Sequence, residues 1–121
     1  ESATLRQMMS EGQVAFFRAS WIADYPDGES FLTVFYGKNP APPNYTRFQH
    51  PVFDSLYEES QRETDTRRRM ELYQQMDRLL VQEAPVVFLF YDETALFAAK
   101  EWTGISRNAL NLLKAKGVRK E

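Results

Sequence analysis

Residues 66–91, with the sequence TRRRMELYQQMDRLLVQEAPVVFLFY, decide the fold because a helical pattern passes directly into a strand pattern. Apolar side chains recur at helical spacing in the first part and form one stripe, made of Leu72, Met76, Leu79 and Leu80. This spacing predicts a helix over residues 66–83 with the stripe turned toward the core. Asp65 or Thr64 can cap its first turn. The helix ends at Ala84 because a residue that precedes proline is pushed out of helical geometry.

The second part of this stretch, residues 86–91, consists only of apolar and aromatic side chains. Such a run has no polar alternation, which predicts a strand that is covered on both faces. A compact run with two phenylalanines, residues 14–19, predicts a second strand. Two strands alone leave sheet edges and faces uncovered. The chain is therefore expected to be a fragment whose missing strands belong to a longer protein.

Helices and loops are predicted on either side of these strands. A short amphipathic helix occupies residues 4–11 and ends at Gly12, and another helix begins at Pro51. The buried face of the second helix is formed by Phe53, Leu56, Tyr57 and Ser60. The remaining expectations are a short helix over 31–36, an ordered proline-rich loop over 37–51, a weaker strand over 94–99, a turn region over 102–108 and a basic tail over 110–116. Helix and strand interleave, which predicts an α/β fold.

Composition narrows the functional classes. The chain has 121 residues, the size of one domain, with no cysteine and a net charge of −2. The lack of thiols excludes thiolate metal sites and cysteine nucleophiles, and the charge balance gives no indication of nucleic-acid binding. His50 is the only histidine, so neither a metal site nor a cofactor is predicted. The sequence contains no glycine-rich phosphate loop and no nucleophile motif, so no catalytic residue is assigned and the chain is not interpreted as an enzyme.

Residues 20–28, SWIADYPDG, form the densest group of side chains that can bind a ligand. They directly follow the predicted strand 14–19, and α/β proteins place ligand sites at the carboxyl ends of strands. The carboxylates of this group and the indole of Trp21 are therefore expected at such a site. Each of two residues also has a simpler interpretation: Asp24 only caps the turn beside Pro26, and Trp21 packs as an ordinary core aromatic.

Other charged groups receive simpler interpretations. Asp27 and Glu29 are interpreted as solvated turn carboxylates, and arginines 67–69 as a solvated helix face with local ion pairs. A different class of function would use Asp24 with Asp27 or Glu29 as the paired carboxylates of a hydrolase. A third class is a protein-interaction module built on the helical hairpin of residues 52–83.

The pattern Trp21-x-Ala23-Asp24-Tyr25-Pro26-Asp27, followed by Phe31-Leu32, resembles the signature of family 5 of the bacterial extracellular solute-binding proteins. These are the peptide- and nickel-type binding proteins of ATP-driven importers. Further matches follow in the family's order along nearly the whole chain: Phe53-Asp54-x-Leu56, Arg69 with Leu72-Tyr73, Glu83-Ala84-Pro85-Val86, and then Gly104 and Asn108. The ordered set is more specific than any one of its pieces.

The resemblance implies a type II periplasmic-binding-protein-like fold with two hinged lobes, of which residues 1–121 are the carboxy-terminal portion without the N-terminal lobe. It implies a protein that captures oligo- or dipeptides in the periplasm or at the cell surface and delivers them to the membrane permease of an ABC transporter. Asp24 matches the aspartate that pairs with the free amino terminus of the peptide, and Trp21 matches a position close to the same cleft, where it can pack on the ligand. The isolated chain lacks the other lobe, so we expect it to self-associate, most simply as a dimer.

Overall fold

The computed structural model describes residues 2–91, 93, 95–108 and 112–121. The helical elements are α1 (Ser2–Glu11), α2 (Glu29–Leu32), a 3₁₀ turn (Thr33–Phe35), α3 (Pro51–Arg62) and α4 (Thr66–Glu83). They are followed by four short strands, β1 (Trp102–Thr103), β2 (Ser106–Arg107), β3 (Leu113–Lys114) and β4 (Arg119–Lys120). The described chain is thus a mixture of helix and sheet, which is consistent with the predicted α/β class.

Helix α4 begins and ends where the sequence predicts. Asp65 is its N-cap, and the side-chain Oδ1 accepts the backbone N–H groups of Arg67 at 2.7 Å and Arg68 at 3.0 Å. These bonds satisfy two of the donors that the first turn of a helix leaves without a partner. At the other end Ala84 adopts a left-handed conformation with φ 48°, and its N–H closes the last turn on the carbonyl of Leu80 at 2.9 Å. Both boundary predictions are confirmed.

Helix α3 is also confirmed, and its N-cap is His50. This residue is extended, and its Nδ1 accepts the N–H of Phe53 at 3.3 Å, while Pro51 takes the first helical position. The imidazole stacks on Phe48 with 6.0 Å between the ring centres. The sequence analysis assigned no structural role to His50, although its place directly before a first-turn proline is the signal for a cap.

The core lies where α2, the 3₁₀ turn, α3 and α4 meet. Its buried members are Leu32, Phe35, Phe53, Tyr57, Tyr73, Met76 and Leu80. Leu72 and Met76 on α4 are completely inaccessible to solvent, whereas Leu79 is only partly buried. Tyr73 therefore belongs to the buried stripe that the sequence analysis assigned to leucines and methionine alone. The reason is that α2 packs against α4 on this side and covers Tyr73.

The proline-rich segment between the 3₁₀ turn and α3 is an ordered loop, as predicted. It is organised around Asn44, which is 2% exposed and whose Nδ2 donates to the carbonyls of Tyr36 and Phe48 at 3.2 and 2.9 Å. Gly37 donates its N–H to Oδ1 of Asp54 at 2.8 Å, which fixes the start of the loop to α3. A Cβ atom on Gly37 would lie 2.6 Å from Oδ2 of the same carboxylate, so a larger residue here would displace the Asp54 side chain.

The predictions of principal strands at 14–19 and 86–91 were wrong, because neither segment forms a strand in the structure. Val86 is partly buried against the core, but the side chains of residues 87–91 are exposed, from 59% at Phe88 to 95% at Tyr91. A strand requires a neighbouring strand to which its backbone can hydrogen-bond, and a purely apolar strand also requires other elements packed on both faces. The sequence of a segment cannot by itself supply the neighbouring strand or the packing elements. The two segments nevertheless lie close together, since the Arg18 guanidinium is 5.6 Å from the ring centre of Phe90.

Residues 102–108 and 112–121 form an interrupted hairpin. Trp102 pairs with Lys120 in the outer ladder of β1 and β4, and Ser106 pairs with Lys114 in the inner ladder of β2 and β3. Asn108 closes the inner end, because its N–H donates to the carbonyl of Leu112 at 3.1 Å and its Oδ1 accepts the N–H of Leu112 at 2.9 Å.

Three sequence predictions fall on this carboxy-terminal region. The turn region 102–108 and the basic tail 110–116 were wrong in part, because each contains short strands. The weaker strand 94–99 is not a strand over residues 95–99. Thr94, Leu110 and Asn111 lie outside the described residues. Strands of two residues carry too little periodicity to be recognised in the sequence.

No helix in the described part of the chain combines the length and the apolar character that a membrane span requires.

Met76→Ala is expected to lower the free energy of unfolding by about 2–5 kcal/mol, because it opens a cavity at a completely buried position between α3 and α4. Val81→Ala, on the same helix at a position that is 65% exposed, is the matched control and should change it by about 0.5 kcal/mol or less. Urea unfolding of the full-length protein, followed by helix circular dichroism, measures both. Equal losses from the two substitutions would contradict the described orientation of α4.

Candidate functional site

The loop that carries the two predicted ligand-binding residues closes back on the first turn of α2. The indole Nε1–H of Trp21 donates to the carbonyl oxygen of Ser30 at 2.7 Å. The backbone N–H of Asp24 donates to the Ser30 hydroxyl oxygen at 3.0 Å. Ser30 is 1% exposed. The structure therefore brings Trp21 and Asp24 together on one buried serine, which the sequence analysis did not identify.

Both candidate residues present surface to solvent. Trp21 is 40% exposed, and Asp24 is held through its backbone N–H, with the residue itself exposed. The turn at this point is capped by a different carboxylate, since Oδ1 of Asp27 accepts the N–H of Glu29 at 3.0 Å. The capping role that was the simpler interpretation of Asp24 is thus performed by Asp27.

Asp27 is not the solvated turn carboxylate that the sequence analysis expected. Its Oδ1 also accepts the hydroxyl of Tyr73 at 2.9 Å, and its Oδ2 lies 3.1 Å from a guanidinium nitrogen of Arg69. The Glu29 N–H, with further contributions from Tyr73 and Arg69, lowers the pKa of Asp27 below its ordinary value of 3.8, although burial opposes the shift. Burial and the Asp27 hydrogen bond raise the pKa of Tyr73 to about 12. Asp27 therefore joins the loop to α4.

Glu29 also differs from expectation, because it is buried rather than solvated. One carboxylate oxygen accepts a hydrogen bond from the hydroxyl of Tyr57 on α3. Burial and this bond raise the pKa of Tyr57. Asp27 and Glu29 both differ from expectation for the same reason. The tyrosines that donate to them lie on helices far along the chain, and no local sequence pattern indicates such donors.

The three arginines of residues 67–69 do not share one environment. Arg68 forms the surface ion pairs that were predicted, with Glu59 at 3.1 Å and Glu71 at 3.3 Å. Arg69 is half-buried and turns toward Asp27 and Tyr73 instead. The signal for this was present, because Arg69 lies four residues before Tyr73 and so shares its face of the helix.

A small polar cleft of about 150 Å³ lies beside the loop. It is lined by Tyr25, Asp27, Glu29, Ser60, Gln61, Arg69 and Tyr73. Nε of Arg69 is buried and has no hydrogen-bond partner in the described chain. Within residues 2–91, 93, 95–108 and 112–121, no group of three or more His, Cys, Asp or Glu side chains is arranged to hold a metal ion. The chemistry that this region offers is therefore charge and hydrogen bonding, presented on a loop with a fixed backbone.

The sequence of this chain is similar to that of several bacterial binding proteins. It is 36% identical over 78 residues to the oligopeptide-binding protein OppA of Bacillus subtilis, a match that covers 64% of this chain and 14% of that protein. It is 29% identical over 104 residues to the periplasmic oligopeptide-binding protein OppA of Escherichia coli, covering 86% and 19%. It is 28% identical over 101 residues to the dipeptide-binding protein DppE of Bacillus subtilis, covering 84% and 18%.

These relatives are solute-binding proteins, and the predicted resemblance to family 5 of that class is confirmed at low identity. No family model matches the chain. The matches span between 14% and 19% of the length of the relatives named here, so the similarity concerns only a portion of each of those proteins.

The depressed pKa of Asp27 predicts a specific dependence of stability on pH. The ionised carboxylate is favoured in the folded state, so its contribution is complete above the ordinary pKa of 3.8 and is lost as the pH falls through the lower folded value. Asp27→Asn removes this contribution, so the free energy of unfolding should vary less between about pH 5 and pH 2 than in the wild type. Urea unfolding at a series of pH values measures the slope of the free energy of unfolding against pH.

Tyr73→Phe supplies the intermediate case, because it removes one of the donors to Asp27 but leaves Arg69 and the Glu29 N–H in place. Its slope should lie between those of the wild type and Asp27→Asn. If Asp27→Asn kept the wild-type slope, the carboxylate would not be the group that couples folding to pH here.

Proposed function

We propose that this chain is part of the substrate-binding component of an ABC-type importer, which captures oligo- or dipeptides outside the cytoplasm and delivers them to a membrane permease. The observation that carries the proposal is the exposed aspartate at position 24, which lies beside Trp21 on a loop with a fixed backbone. The similarity to proteins named for oligopeptide and dipeptide binding supports the peptide as ligand. A periplasmic or cell-surface location follows from the same proposal.

In this proposal Asp24 pairs with the ammonium group at the amino terminus of the peptide. Such a group loses its hydration when a cleft closes around it, so it requires an opposite charge in the site. Trp21 offers an aromatic surface against which the first part of the peptide packs, and its ring is kept in place by the bond to Ser30. The peptide is recognised by its terminus rather than by its side chains, which suits the capture of many sequences.

The remaining parts of the binding cleft are assigned to chain beyond residues 1–121. The assignment of these residues to the carboxy-terminal portion of a two-lobed domain stays a prediction. It is supported by the relatives, of which this chain matches only a minor share. Closure of two lobes around the peptide would present it to the permease.

Neither alternative function gains comparable support. Asp27 and Glu29, the proposed partners of Asp24 in a hydrolase, are engaged by tyrosine hydroxyls of the helical pair. The outer face of the helical hairpin carries ion pairs such as those of Arg68, which are typical of a solvated surface. The named relatives are binding proteins and not enzymes. A screen for turnover of peptides and glycosides tests the hydrolase directly.

Asp24→Asn in the full-length protein is expected to weaken binding of peptides with a free amino terminus by about tenfold or more, because it removes the charge opposite the ammonium group. Binding of the same peptides after acetylation of the amino terminus should change far less. Isothermal titration calorimetry measures both affinities. An equal loss for the two kinds of peptide would remove Asp24 from the proposed role.

Self-association of the isolated chain stays a prediction. It is based on the exposed apolar side chains of residues 87–91, because exposed apolar surface favours association. Light scattering of the isolated chain should give about twice the mass of one chain, since a dimer is the simplest assembly that covers such a surface. Val87→Lys with Leu89→Lys should shift the distribution toward the single chain. A stable single chain at all concentrations, without binding of a hydrophobic dye, would contradict the prediction.

A further inference from the structure

Ser30 is the residue on which both candidate ligand-binding residues converge. Its carbonyl oxygen accepts the indole N–H of Trp21 at 2.7 Å, and its hydroxyl oxygen accepts the backbone N–H of Asp24 at 3.0 Å. Both bonds are accepted by one residue that is 1% exposed. The loop is thereby tied to Ser30 at two points: at Trp21, nine residues before Ser30, and at Asp24, six residues before it.

Ser30 is itself held on the helical pair. Its N–H donates to the carbonyl of Asp27 at 3.2 Å, and the Asp27 carboxylate is bound by Tyr73 and Arg69 of α4. The preceding residue, Glu29, is fixed by Tyr57 of α3. The acceptors that Ser30 offers are therefore at a defined place relative to both long helices.

A fixed backbone at Asp24 matters for binding because an unrestrained loop loses conformational entropy when it engages a ligand. The cost of ordering the backbone is subtracted from the affinity unless the loop is ordered beforehand. The Ser30 hydroxyl restrains the backbone N–H of Asp24 through a bond that uses only groups of the loop itself. The Ser30 carbonyl does the same for the ring of Trp21.

We infer that Ser30 is a positioning residue for the ligand amino terminus, which sets the place of the Asp24 carboxylate without touching the ligand. This inference rests on the proposed function. Its structural alternative is that Ser30 contributes only to stability, as a buried polar residue at the start of α2 does in any protein. The two differ in what loss of the hydroxyl does to selectivity for a free amino terminus.

The test uses the full-length protein and a pool of random tri- to pentapeptides, either with free amino termini or acetylated, titrated by calorimetry. Ser30→Ala removes the acceptor of the Asp24 N–H. It should lower the affinity for the free pool by about five- to tenfold, the size expected for one hydrogen bond, and the affinity for the acetylated pool by about twofold or less. Ser30→Cys, which fills nearly the same volume with a weaker acceptor, should show the same selective loss if the alanine variant is unstable.

Asn44→Ala is the matched control. Asn44 is also a buried polar residue, at 2% exposure, but its side-chain amide donates within the proline-rich loop to the carbonyls of Tyr36 and Phe48. This variant should lose stability as Ser30→Ala does and keep the wild-type preference for free amino termini. In combination with Asp24→Asn, Ser30→Ala should add no further loss of preference, because both changes act through the same carboxylate.

The outcomes separate the two proposals. If Asp24→Asn abolishes the preference but Ser30→Ala and Ser30→Cys retain it, the positioning inference is wrong and the proposed function stands. If Asp24→Asn itself retains the preference, the ligand role of Asp24 fails and the inference falls with it. Loss of preference in Asn44→Ala as well would show a general effect of destabilisation and would also overturn the inference.

Discussion

The carboxylate of Asp27 is the point on which the arrangement of the loop depends. It accepts the N–H of Glu29 within its own turn and binds Tyr73 and Arg69 of α4 with its two oxygens. A carboxylate can accept several such bonds at once, and bonds to a charged group are stronger than those between neutral groups. One side chain therefore both shapes the turn and fastens it to the helices. The position of Ser30, and through it that of Trp21 and Asp24, follows from this.

The helical pair beneath the loop owes its stability to packing rather than to its surface charges. The ion pairs of Arg68 are formed by side chains that are about half exposed, and pairs of this kind contribute about 0–1 kcal/mol each. Burial at positions such as Met76 and Phe53 outweighs them, since a single core truncation costs about 2–5 kcal/mol. The charges keep the outer face in water, and the apolar side chains determine how α3 and α4 meet.

The sequence predicted the long helices well because a helix carries its own hydrogen bonds and its caps are local. Asp65 and Ala84 lie directly beside the segment they delimit. The segment 86–91 shows the opposite case, since its pairing depends on a partner that a local pattern cannot supply. The assignment of Trp21 and Asp24 to a ligand site stays a prediction from the family resemblance. The hydroxyl that binds Asp27 belongs to Tyr73, 46 residues away along the chain, and no local pattern indicates it. Contacts at that distance are products of the fold.

The interrupted hairpin has a mechanical consequence. Its outer and inner ladders are separated by Gly104 and Gly117, both with left-handed φ values of 74° and 101°. A Cβ on Gly104 would lie 2.1 Å from the carbonyl oxygen of Gly117, so the two backbones touch with no side chain between them. Each ladder of two residue pairs is marginal by itself. The two ladders therefore depend on the close approach of these two glycines, and any side chain at position 104 would push the outer ladder away from the inner one.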